Sequence, residues 1–190
     1  YGDENQRKKY LPKLGSGEWV GCFGLTEPDA GSDPGGMKTR AVRDGDDWVI
    51  TGRKMFITNG VHADLYCIAA VSSPDARPSQ RLSMFLVEKG TPGFRVGRDL
   101  DKQGWRSSDT AELLFEDCRI PATNLLGEEG RGFYGIMQNF QNERIVLDFA
   151  FVGPEPGERE DTLLTVTLSD APDGGTDVRF DHERITLAPP

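Results

Sequence analysis

The stretch Phe23-Gly-Leu-Thr-Glu-Pro-Asp-Ala-Gly-Ser32 decides how the rest of this chain is read. It begins as a short apolar strand and stops at Glu27-Pro28, because proline donates no amide hydrogen and pushes its predecessor away from helix. Ala30-Gly31-Ser32-Asp33 then offers a turn of small residues with free backbone N–H groups and hydroxyls. Such a concave run of donors suits a phosphate or another anionic or carbonyl-rich ligand. A lone Gly-Ser turn is more often only a loop, so the weight rests on the ten-residue string as a whole.

Around this string, from Trp19 to about residue 123, short strand patterns alternate with turn signals. Trp19–Thr26 is the first strand. Thr39–Arg43 and Trp48–Thr51 flank Asp44-Gly45, a strong hairpin signal. Lys54–Thr58 follows as a separate strand after Gly52. Leu65–Val71 is almost wholly apolar, as in a strand covered on both faces. Leu82–Glu88, Phe94–Val96 and Ala111–Phe115 complete the set. The expected fold is mainly β, a barrel or sandwich of roughly 100 residues with flanking helices, α+β overall. Its core should hold Leu25, Ile50, Ile57, Ile68, Phe85 and Leu114.

The flanks have a different character. Residues 1–18 read as a polar helix ending at Leu11-Pro12, with Arg7, Lys8, Lys9 and Lys13 on a solvated face beside acids. Residues 130–149 switch to helical period, with Phe133, Ile136, Met137, Phe140 and Leu147 on one stripe. Glu143 falls at the edge of that stripe and Arg144 near its middle. Charge in such a place is costly unless paired or used. The spacing leaves open a structural Glu–Arg pair and a functional one.

With 31 acidic against 22 basic residues the net charge is -9 and the pI about 4.8. Nucleic acid and anionic membrane would both repel such a chain, so neither is an expected partner. An anionic ligand must be held by local donors. There is no signal peptide pattern and no apolar run of membrane-spanning length. Cys22, Cys67 and Cys118 lack metal-type or redox-type spacing and read as small buried thiols. His62 and His182 stand far apart, and neither is assigned a metal.

Two further strings join the first. Gly52-Arg-Lys-Met-Phe-Ile-Thr-Asn-Gly60 is one; Gly104-Trp-Arg-Ser-Ser-Asp-Thr110, leading to Phe115-Glu-Asp-Cys-Arg-Ile-Pro121, is the other. In this order and spacing the three resemble the flavin-binding signatures of the acyl-CoA dehydrogenases, and the resemblance runs from about residue 1 to about residue 147. It implies FAD as cofactor, an acyl-CoA thioester as substrate and a place in fatty acid metabolism. Phe23, Gly24, Leu25 and Thr26 match the segment lining the flavin ring. Gly31 and Ser32 match the turn beside its pyrophosphate, and Ser32 also matches an acyl-CoA contact. Phe56 takes a place often held by tryptophan beside the ring, Ile57 follows, and Thr58 matches a hydroxyl facing flavin N5. Arg144 matches an arginine that binds CoA. Glu143 matches the catalytic base of the isovaleryl- and long-chain-type branches, one residue before that arginine. An electron-transfer flavoprotein or similar acceptor, a homo-oligomeric state, and a bacterial cytoplasmic or mitochondrial matrix location are implied as well.

The same resemblance divides the chain into the end of an N-terminal helical domain (1–18), a flavin and acyl-CoA domain (19–123) and the first helix of a C-terminal helical domain (130–149). Residues 150–190 depart from it. They read as a charged linker and a β-hairpin, Thr162–Leu168 with Thr176–His182, weakly similar to the end of the helix-grip domains related to the Hsp90 ATPase activator. The chain is therefore expected to be truncated or chimeric and inactive by itself. A non-catalytic binding or assembly module is one alternative; an acyl-CoA oxidase or nitroalkane oxidase-like flavoenzyme is another.

Overall fold

A computed structural model of the chain describes residues 1–140, 161–170 and 176–185, with side chains described for 1–140. Two compact units are present, Tyr1–Phe133 and Tyr134–Pro190. In the first, helix α1 (Glu4–Ser16) precedes β1 (Gly21–Gly24), β2 (Arg40–Asp44), β3 (Asp47–Thr58), β4 (Leu65–Val71), β5 (Leu82–Glu88), β6 (Phe94–Asp99), β7 (Thr110–Pro121) and β8 (Leu125–Leu126).

These eight strands make one sheet, in the order β6-β7-β3-β2-β4-β5-β8, with β1 pairing to β4. The mainly β character matches the expectation from sequence, but the sheet is open and β6 does not pair with β8. Physically, β8 offers only two residues, and the opposite edge carries the exposed charges Arg95, Arg98 and Asp99. Charge along an edge discourages further pairing. One edge of β4 is shared. Gly21–Gly24 of β1 runs parallel to Leu65–Ile68, and after an excursion Arg40 of β2 takes up the same edge opposite Val71. The decisive decapeptide lies at the start of that excursion.

Alternation along β3 and β7 builds the core. Trp48, Ile50 and Ile57 of β3 meet Ala111, Leu113, Phe115, Cys118 and Ile120 of β7, with Ile68 and Phe85 from β4 and β5. Burying one such aromatic or aliphatic side chain contributes about 1.5–3 kcal/mol. Trp48 stands edge-on to Phe85 with centroids 5.2 Å apart, and Phe94 stacks on Phe115 at 5.0 Å. Leu25, Ile50, Ile57, Ile68 and Phe85 are buried as expected, but Leu114 is only half-buried. With a side-chain period of two, the inward places next to it belong to Leu113 and Phe115. β4 and β5 are covered on both faces, because Tyr10 and Leu14 of α1 pack over Leu65 and Leu86 on the outside.

Helix α1 continues through Pro12 to Ser16, four residues past the expected stop. The missing N–H of Pro12 leaves the Lys8 carbonyl without its helical partner, and both residues lie on the exposed face, where water can replace it. A capping box between Asp3 and Gln6 starts the helix, and Gly17 at φ 76 ends it. Of the three free thiols, Cys118 is buried while Cys22 and Cys67 are half-buried. Burial pushes Cys22 and Cys67 up to about 12 and Cys118 up to about 11, so all three stay protonated.

Trp48–Thr51 and Lys54–Thr58 are not separate strands. They form the single twelve-residue β3, which passes through Gly52 without a break. Gly52 has φ +153, and a Cβ on it would lie 2.4 Å from Thr39 Oγ1 and 2.6 Å from Thr39 Cα. Only glycine lets the two backbones come this close. Gly31, by contrast, has no positive φ, and a Cβ there would meet nothing within 4 Å. Its role cannot be conformational.

In the second unit, β9 (Asp161–Asp170) and β10 (Thr176–Ile185) form an antiparallel hairpin, registered from Asp170↔Thr176 to Asp161↔Ile185. Residues 132–140 are helical; Glu143 and Arg144 lie outside the described residues. Gly52→Ala should destabilise the first unit by about 2–3 kcal/mol, since backbone must move to admit the methyl. Gly31→Ala should stay within about 0.5 kcal/mol of the parent. Urea unfolding followed by tryptophan fluorescence measures both; a parent-like midpoint for Gly52→Ala would refute the close-approach argument.

Candidate functional site

The three strings singled out in the sequence come together at one end of β3. The Met55 amide donates to the Thr26 carbonyl at 2.8 Å, joining the first string to the second. Ile57 and Thr58 pair with Ala111 and Thr110, joining the second to the third. Between Lys54 and Ile57 the register slips, with three steps along β3 set against two along β7. This bulge puts Phe56 at φ 60 and turns its ring out, 62% exposed. An aromatic residue in the left-handed region is a true outlier, of the kind that gathers at binding sites.

The predicted site residues sort by what they can present. Gly24, Leu25 and Ile57 are buried, so they meet a ligand only through backbone. A Cβ on Gly24 would lie 2.4 Å from Ile68 Cδ1, which accounts for the glycine. Phe23 and Thr26 are half-buried; Gly31, Ser32 and Thr58 are exposed. Among the described residues, the hydroxyls of Thr26, Ser32 and Thr58 and the amides of Gly31 and Ser32 make no hydrogen bond within the protein. Glu27-Pro28-Asp29-Ala30 closes into a turn, with Glu27 and Ala30 bonded both ways at 2.9 and 3.2 Å.

Beneath this surface lies a feature that reading the sequence missed. Lys54 is wholly buried, and its ammonium donates to Glu27 Oε1 at 2.7 Å and to the Leu25 carbonyl at 3.1 Å, with Met37 Sδ at 3.7 Å. The Glu27 carboxylate also accepts from the Lys38 amide at 2.6 Å and the Thr39 amide at 3.1 Å. The available signal was phase: Trp48, Ile50, Gly52 and Lys54 share the inward side of an alternating run. Trp105 also stands out only in the structure, 83% exposed at φ 57 on the segment leading to Thr110.

Burial alone would push Glu27 up, but the Lys54 charge and the hydrogen bonds from Lys54, Thr39 and Lys38 outweigh it and hold the carboxyl below its ordinary range. For Lys54 burial wins, lowering it from 10.5 to about 8 against the pull of Glu27. Because the folded value lies below the unfolded one, the unfolded chain holds this proton over pH 8–10.5. This group therefore adds stability as pH rises through that window. NMR of the Lys54 13Cε resonance should show a midpoint near 8; one near 10.5 would mean that the ammonium is solvated.

No helix among the described residues is long and apolar enough to cross a membrane. Residues 22–118 match the family model described as acyl-CoA dehydrogenase, middle domain. The chain is 48% identical over 148 residues to the mouse (Mus musculus) mitochondrial long-chain specific acyl-CoA dehydrogenase, covering 77% of this chain and 34% of that protein. Over 192 aligned positions it is 41% identical to the acryloyl-CoA reductase (NADH) of Anaerotignum propionicum, covering 100% of this chain, the tail included, and 45% of the relative. Among solved structures, a glutaryl-CoA dehydrogenase from Mycobacterium smegmatis in complex with FADH2 superposes with a TM-score of 0.70 at 40% identity, over 78% of this chain and 37% of that one. The chain spans between about a third and a half of the length of these relatives. With three motifs meeting on a sheet of the same form, and the family model matching across it, this chain belongs to the acyl-CoA dehydrogenase family.

Proposed function

We propose that this chain holds FAD and an acyl-CoA thioester for α,β-dehydrogenation of the thioester. One observation carries the reading: the Met55 amide is bonded to the Thr26 carbonyl, so the loop that carries the uncommitted donors starts against the residue next to the outward-facing Phe56 ring. That donor set fits a flat ring with a polar edge and an anionic tail. FAD, when bound, supplies the hydride acceptor. Phe56 gives the ring an apolar wall whose direction is set by its backbone. The Thr26 and Thr58 hydroxyls donate to the polar edge, where fixed donors stabilise developing negative charge. The amides of Gly31 and Ser32 and the Ser32 hydroxyl face the pyrophosphate, and Ser32 also touches the acyl-CoA. The backbones of Phe23, Gly24, Leu25 and Ile57 complete the lining.

The proposal carries two residues on sequence alone. Glu143 is the base that removes the α-proton, and Arg144 binds CoA. Residues 19–123 form the flavin and acyl-CoA domain, 1–18 and 130–149 belong to helical domains on either side, and the remaining segment carries the β9–β10 hairpin. An electron-transfer flavoprotein takes the electrons, and the protein is a homo-oligomer. Similarity to an acryloyl-CoA reductase favours a second direction, reduction of an enoyl-CoA on the same site. Following acyl-CoA loss against enoyl-CoA loss separates the two.

The purified protein should carry a visible flavin spectrum or gain one on titration with FAD. Thr58→Ala removes one hydrogen bond of about 0.5–1.5 kcal/mol and should weaken FAD about 2–10-fold. In the chain completed after residue 147 with the helices of a full-length relative, Glu143→Gln should keep flavin and thioester binding but slow bleaching of the flavin by substrate about 10²–10⁴-fold. Unchanged bleaching in a flavin-loaded variant would remove Glu143 from the mechanism.

A further inference from the structure

The Glu27–Lys54 pair has a role that the proposed chemistry does not use. Every polar contact it makes goes to the two ends of one excursion of the chain. On the leaving side these are the Leu25 carbonyl and Glu27 itself. On the returning side they are Met37, the Lys38 amide and the Thr39 amide. Between them, residues 28–36 bond only locally: Ala30 to Glu27, Gly35 and Gly36 to Asp33, and Met37 to Pro34. The exposed Lys38–Asp29 bridge also stays within the excursion. Among the described residues, no hydrogen bond ties 28–36 to another strand, and only Ala30 buries an apolar side chain there.

We propose that Glu27–Lys54 is a positioning latch for the cofactor, closing the base of residues 28–36 and setting Gly31 and Ser32 against the Phe56–Thr58 side of the bulge. The proposal rests on the flavin reading above. Lys54 suits the task because it belongs to the same strand as the bulge. Its side chain reaches the loop from β3 one residue before Met55, whose amide holds Thr26. Thus the wall and the loop are registered to each other through adjacent residues. A buried ion pair is weak evidence for added stability, since apolar residues of similar volume often serve the fold as well. Orientation is what an apolar pair could not supply: it has nothing to offer the Leu25 carbonyl or the amides of Lys38 and Thr39.

Lys54→Met and Glu27→Gln test the latch in the chain as it stands, by amide hydrogen exchange and by FAD titration. Exchange reads local opening residue by residue. Expected in both variants is at least about ten-fold faster exchange at Lys38 and Thr39, with β4 and β5 protected as in the parent. When the competent loop is populated only about a tenth of the time, apparent FAD affinity falls about ten-fold. Unchanged exchange at Lys38 and Thr39, or unchanged FAD affinity in both variants, overturns the proposal. So does loss of protection throughout β4 and β5 in both variants, which would make the pair a support of the sheet. If the parent takes up no FAD, the flavin reading itself fails and this proposal with it. If the parent takes it up and both variants match it, only the latch fails.

Discussion

A lysine and a glutamate removed from water beneath the loop are the constraint on which this site depends. Taking each ion out of water costs several kcal/mol, and mutual attraction offsets that only when the remaining hydrogen-bonding capacity is filled. Here it is filled. The ammonium has the carboxylate, a carbonyl and a thioether around it, and the carboxylate has the ammonium and two backbone amides. The geometry of four neighbouring residues, Leu25, Met37, Lys38 and Thr39, is therefore tied to one pair of charges, and those residues are the ends of the excursion that carries the motif.

The sheet supplies the other half. Two irregular points along β3 do different work. At Gly52 the strand comes so near Thr39 that no side chain fits. At Phe56 the added residue lets Lys54 and Ile57 both point inward while the ring between them points out. A left-handed backbone at a non-glycine residue costs of order 1–3 kcal/mol. Pairing of Ile57 and Thr58 with β7 on one side and the Met55–Thr26 bond on the other hold it in place. An acidic chain can then receive an anionic ligand because attraction comes from oriented amides and hydroxyls a few ångströms away. Net charge acts over distances that physiological salt screens within about 8 Å.

The family was legible from the three strings because each is a contiguous run whose residue types and spacing match the family together. The strand pattern was legible wherever one face met the core and the other met water, as in β3 and β7. It failed where a single strand contained its own irregularity. Gly52 looked like a strand end because glycine is common at ends, whereas here it marks a close approach. Leu114 is apolar by type, yet its neighbours Leu113 and Phe115 hold the inward phase. Pro12 has the look of a stop, but its lost hydrogen bond falls on the solvent face of a helix anchored by Tyr10 and Leu14.

By itself the sequence determined the family, the mainly β class, the excursion after Thr26 and the residue types that can meet a flavin, since these follow from local pattern and from chemistry carried by contiguous residues. Tertiary structure alone decided that the sheet stays open, that Gly52 rather than Gly31 is the conformationally required glycine, and that Glu27 and Lys54 meet. Glu27 and Lys54 are far apart in the chain and unremarkable singly. Only the fold, by bringing β3 under the loop and excluding water from both, turns two ordinary charges into the contact that sets the site.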